Sequence, residues 1–166
     1  MDLEPVDRIT ADAVGEPGQR TFYLQARKDL DLITIMVEKQ QVELLSSSIL
    51  EILARVGKET AQGPPEEEMD LEEPIDPAWR AGRLSIGYLE DRDLLLLEVE
   101  EALEEDEERE ADRVRLWATP EQMLSLSRHG ALVCARGRPK CQFCGNPLDP
   151  EGHACPAMNG HGSPGV

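Results

Sequence analysis

Leu32-Ile33-Thr34-Ile35-Met36-Val37-Glu38-Lys39-Gln40-Gln41-Val42-Glu43-Leu44-Leu45-Ser46-Ser47-Ser48-Ile49-Leu50-Glu51-Ile52-Leu53-Ala54-Arg55-Val56-Gly57 changes its hydrophobic period midway. Ile33, Ile35 and Val37 alternate with their neighbours, as a strand with one buried face requires. From Lys39 onward Val42, Leu45, Ile49, Leu53 and Val56 recur at helical steps, while Glu43, Ser47, Glu51 and Arg55 fall elsewhere. Gly57 is a natural stop, since it accepts the positive φ of a helix C-terminus without strain.

Working backward, Thr21 to Arg27 alternates, with Phe22, Leu24 and Ala26 on one side and Tyr23, Gln25 and Arg27 on the other. Arg8 to Val14 reads as a first strand, and Gly15-Glu16-Pro17-Gly18-Gln19 as a type II turn. Working forward, residues 61–78 combine four prolines with many acids. Their scant apolar surface predicts a linker or mobile loop. Arg83 to Leu89 and Leu94 to Val99 form the next hairpin, followed by an acidic loop at about 100–112 and a strand at Arg113 to Ala118. The four leucines of Leu94 to Leu97 suggest a strand covered on both faces, and Trp117 is expected on the outward side. Thr119-Pro120-Glu121-Gln122 starts a second helix, with Thr as cap, Pro at the first helical position and Gln closing a capping box. Its stripe includes Met123, Leu126, Ala131 and Cys134, which leaves His129 as a surface histidine and Cys134 as a small buried hydrophobe. Residues 112–137 thus repeat the strand-to-helix order of residues 31–57. The predicted class is α+β: an antiparallel sheet of about five or six strands with two helices packed on one face, spanning residues 1–137.

A different chemistry begins at Cys141-Gln142-Phe143-Cys144-Gly145. A Cys-x-x-Cys turn followed by Gly aims both sulfurs at one point, and His153 and Cys155 follow. Cys141, Cys144, His153 and Cys155 would fill a closed tetrahedral shell around one structural zinc ion. His153 and Cys155 point opposite ways in an extended strand, so a turn at Glu151-Gly152 must bring both inward. Alternatively, Cys155 pairs with His161. Residues 138–161 are therefore read as a zinc ribbon-like knuckle, and 162–166 as a disordered tail.

The chain of 166 residues carries 34 acidic and 17 basic side chains, for a net charge of −17. Residues 128–166 total +2, from Arg128, Arg136, Arg138 and Lys140 against Asp149 and Glu151, which leaves −19 on the rest. Such a body repels nucleic acid and anionic membranes at long range. Nucleic-acid binding through Arg136, Arg138 and Lys140 is the first alternative function. The start Met1-Asp2-Leu3-Glu4-Pro5 lacks the features of a signal peptide, no stretch suits a membrane span, and zinc-type cysteine usage fits the cytoplasm. No Ser/His/Asp order, phosphate-binding Gly loop or isolated acid pair stands out, so the reading is non-enzymatic. An enzyme whose site is scattered through the sequence is the second alternative. Gln19, Arg20, Tyr23 and Gln25, polar groups near the first turn, are the candidate interaction surface.

Two long stretches carry a family resemblance. One is Val14-Gly15-Glu16-Pro17-Gly18-Gln19-Arg20-Thr21-Phe22-Tyr23-Leu24-Gln25-Ala26, with Glu38 to Val42 after it. The other runs from Gly137-Arg138-Pro139-Lys140-Cys141 through Cys144-Gly145-Asn146-Pro147-Leu148-Asp149-Pro150-Glu151-Gly152-His153 to Cys155-Pro156. The chain resembles the ParJ-like family of mostly uncharacterised actinobacterial proteins, and the resemblance covers nearly its whole length. It implies a cytoplasmic accessory that contacts a ParA-type chromosome-partitioning ATPase, and it favours His153 over His161 as the fourth ligand. It assigns no catalytic role to any residue.

Overall fold

The computed structural model describes residues 1–16, 18–57 and 62–136. Seven strands and two helices follow in the order β1 (Asp2–Leu3), β2 (Arg8–Val14), β3 (Thr21–Lys28), β4 (Asp31–Val37), α1 (Lys39–Val56), β5 (Ala81–Leu89), β6 (Leu94–Glu101), β7 (Arg113–Ala118) and α2 (Pro120–Arg136). The class is α+β, but the strands form two sheets rather than one: β1-β7-β6-β5 and β2-β3-β4. Neighbours are antiparallel except β1, which runs parallel to β7.

The two sheets are joined at both ends by isolated backbone bonds. Near β1, Val6 donates to the Trp117 carbonyl at 2.8 Å and Asp7 to that of Arg27 at 2.7 Å. At the other end, residues 78–80 run along the outer edge of β4 before becoming β5. Ala78 donates to Thr34 at 2.8 Å, and Met36 donates to Trp79 at 3.0 Å. The helices are exchanged between the units: α2 packs on β2, α1 lies beside β5, and the two helices pack on each other. This corrects the expectation of both helices on one face of a single sheet. The cause is the chain's crossing at residues 4–7 and 78–80, where too few residues alternate to register as strands.

The β-β-β-α order does occur twice, as β2-β3-β4-α1 and β5-β6-β7-α2. One core unites both copies: Leu24 and Ile35 from one sheet, Leu95, Leu97 and Leu116 from the other, and Ile49, Met123 and Leu126 from the helices. Each helix starts as its residues dictate. Gln41 Oε1 accepts from the Glu38 N–H at 2.8 Å. Thr119 Oγ1 accepts from Gln122 at 3.1 Å, and Gln122 Oε1 from Thr119 at 2.9 Å, the reciprocal box predicted there. Gly57, at φ 70°, closes α1.

Several local expectations change. β6 runs on to Glu101, and the first acids of the predicted loop are strand residues. Glu98 and Glu100 lie opposite Arg115 and Arg113, each pair 3.3 Å apart. Only one face of β6 is fully covered, since Leu94 and Leu96 remain half-exposed. Trp117 is outward in register but buried, with the Arg92 guanidinium 5.9 Å above its ring. On α2, Gly130 and Val133 take the buried stripe, so Ala131 faces out.

The Pro- and acid-rich segment is a strap rather than a loose linker. After a 3-10 turn at Glu66–Glu68 it crosses the face of β2-β3-β4 that points away from the core. Met69 is 1 % exposed, Thr10 donates to its carbonyl at 2.6 Å, and Arg8 donates to the carbonyls of Glu68 and Asp70. Polar side chains of the sheet, together with the buried Met69 side chain, offset its ordering entropy. Among the described residues no helix is long and apolar enough to cross a membrane.

Candidate interaction site

β5 ends its sheet, and among the described residues its outer side meets a backbone bridge just before its start, between Met36 and Arg80. Beyond Ala81, α1 stands beside it instead. Gln41 Nε2 donates to the Ala81 carbonyl at 3.2 Å, doing for one outward backbone group what a neighbouring strand would do. Between helix and strand lie two hollows of about 290 and 550 Å3 that meet at Ile86. Leu44, Leu45 and Ile52 line the helix wall, and Leu84, Ile86 and Tyr88 the strand wall. Leu44 is 68 % exposed, an apolar side chain at the mouth of the groove. From Gln41 to Val56 the helix rises about 22 Å, the span of six or seven extended residues. A strand edge that no described strand pairs, beside a groove with apolar walls, is the combination that captures peptides by strand addition.

The polar residues near the first turn do not form one surface. Gln19 is exposed, and its N–H closes the turn onto Glu16 at 2.9 Å, while Gly18 has φ 87°. Arg20 and Tyr23 are half-buried. Gln25 is 1 % exposed beneath the strap: it donates to Thr34 Oγ1 and to the Glu72 carbonyl, both at 3.0 Å, and accepts from the Glu72 N–H at 2.7 Å. Alternation placed Gln25 on the correct face, but nothing local signals that a distant segment covers that face.

His129 is likewise interior, at 2 % exposure, which corrects its reading as a surface residue. Its helix stripe is apolar on one side only; the other side is closed by the strap. Nδ1 contacts Glu66 Oε1, and Nε2 lies 3.4 Å from Asp12 Oδ1. Burial works to lower the affinity of the imidazole for its proton, but the contacts with Asp12 and Glu66 outweigh it and raise the pKa above 6.5. Burial pushes the Asp12 carboxyl up, yet His129 and the Ala13 N–H hold it below the usual carboxylate range. Because the two ring nitrogens face opposite ways, the carboxylates cannot converge on one ion. Among the described residues no trio of His, Cys, Asp or Glu is placed to hold a metal. Cys141, Cys144, His153, Cys155 and His161 all lie outside the described residues, as do Arg138 and Lys140. Arg136 sits 3.6 Å from Glu66.

The family model described as protein of unknown function (DUF3090) matches residues 1–155. The chain belongs to that family. No curated relative and no solved structure matches it.

Proposed function

We propose that this DUF3090 protein is a non-enzymatic, intracellular interaction protein that binds an extended segment of a partner protein along β5, in the groove walled by α1. The observation that carries the reading is the outer edge of β5 beyond Ala81, flanked by a helix and lined by Leu44, Leu84 and Ile86. Elsewhere in the chain residues 78–80 lie extended along the outer edge of β4, so this fold already accepts an added extended segment at a sheet edge. With a net charge of −17, the protein favours a segment with basic flanks. The resemblance to the ParJ-like family makes a ParA-type ATPase the first partner to test. The test is direct binding of overlapping peptides from that ATPase, alongside a selected extended-peptide library. Leu44→Glu, at an exposed position, should weaken binding about tenfold or more, since burying a leucine is worth about 1.5–3 kcal/mol. Binding indifferent to this change would refute the groove.

The same proposal assigns one structural zinc ion to Cys141, Cys144, His153 and Cys155, with Cys155 and His161 as the competing pair. Native mass measurement should find one zinc per chain, lost in His153→Ala and retained in His161→Ala. The reverse pattern would transfer the fourth position to His161.

A further inference from the structure

His129 stands where three elements meet: Asp12 comes from β2, Glu66 from the strap, and the ring from α2. Both ring nitrogens face carboxylate oxygens. A neutral imidazole has a single N–H, so either tautomer turns a lone pair toward one carboxylate; only the imidazolium presents a donor to both. Nε2 has no well-formed hydrogen bond, so its attraction to Asp12 at 3.4 Å rests on charge. Among the described residues the remaining charged group at the cluster is Arg136, 3.6 Å from Glu66, and it cannot replace the ring because it lies at the exposed end of the helix.

We infer that His129 is a proton-operated latch, which in its charged form clamps the strap to β2 and α2 and on losing its proton lets the strap's first part lift from the sheet. The strap's other attachments near this point are the close approach of Gly63 to α2 and side-chain hydrogen bonds from Ser125 and Arg8 to its carbonyls. Ser125 holds the Pro64 carbonyl through one hydrogen bond of 2.8 Å, and Glu66 to Glu68 are exposed. Beneath the strap lies a buried polar row, Thr10, Gln25 and Thr34, aligned across three strands by register, with Thr10 and Gln25 hydrogen-bonded to the strap itself. Opening therefore exchanges a closed polar face for one that hydrogen-bonds to water or to a ligand.

The sign follows from the contacts. The folded protein holds the His129 proton more tightly than the 6.5 of an unperturbed imidazole. The latch is therefore complete below that pH and fails as pH rises through the higher folded value. Two measurements on the full chain test it. An NMR titration of the His129 ring should give a midpoint above 6.5. Amide exchange at Met69 and Glu72, corrected for the base catalysis of exchange itself, should lose protection as pH rises from below 6.5 through the measured ring midpoint, by about tenfold for each unit by which that midpoint exceeds 6.5. In Glu66→Gln the midpoint should fall and the pH dependence of protection should flatten. Glu66 is about half exposed in the side chain, so this variant keeps the fold. A wild-type midpoint at or below the ordinary value would overturn the latch. So would strap protection that stays level while the ring titrates, or one that varies equally in Glu66→Gln.

Discussion

Gln25 satisfies both ends of its amide within the protein, with three hydrogen bonds to Thr34 and Glu72. Gln25→Leu keeps much of the shape but leaves the Glu72 N–H without its acceptor beneath the strap. The expected loss is about 1–3 kcal/mol in urea unfolding; a change within measurement error would show the strap is not anchored there. Thr119→Ala removes a cap that was legible in four consecutive residues, and it should cost about 1 kcal/mol. The contrast between the two positions shows how far sequence reading reaches. The Thr119 partner is three residues away and set by helix geometry. The Gln25 partner is in a Pro- and acid-rich stretch that carries no periodicity. His129 was missed for the same reason, since Glu66 approaches from that stretch.

Among the elements, the strap combines the features of a loop sequence with the anchoring of a packed one. Gly63 lies so close to α2 that an added Cβ would meet the Glu121 carbonyl and the Ser125 hydroxyl. Gly63→Ala must therefore displace backbone from backbone. Thermal unfolding of this variant should begin at lower temperature, with exchange at the Met69 amide rising first. Met69→Ala should cost about 2–5 kcal/mol, as for other fully buried apolar truncations. A cost below about 1 kcal/mol would mean that the strap detaches without consequence for the sheet. On the second sheet, a different device secures the β6–β7 loop: Arg109 grips Glu101 at 2.6 and 2.7 Å and holds its carboxyl at about 2. Because that value is depressed, the grip is present above the ordinary carboxylate range and lost only as pH falls toward it. Strands β2 to β7 and both helices were legible from period and caps. The two-residue β1 was not, because it is shorter than any alternation.

At the level of the whole molecule, the repeated β-β-β-α order and the exchange of helices place the first strand of each unit beside the other unit's helix, β2 beside α2 and β5 beside α1. The outer edge of β4 is paired by residues 78–80 and that of β7 by β1, whereas among the described residues no strand pairs with the outer edge of β5. Among the described residues the core unites Leu3 through Cys134 in one cluster, with members from both sheets and both helices. Chelation is accordingly expected to remove one zinc while leaving the main thermal transition near its starting temperature; loss of that transition would make the metal a determinant of the whole fold. The groove was invisible in the sequence because its walls come from a helix and a strand that lie far apart in the chain, each showing only its own amphipathic pattern. The most direct test of the proposed function is an NMR titration of the full chain with an extended, basic-flanked peptide chosen by selection against it. Shifts confined to β5 and the facing side of α1, abolished in Leu44→Glu, are the predicted result. Failure to select any binding peptide, or shifts that map elsewhere and persist in Leu44→Glu, would contradict it.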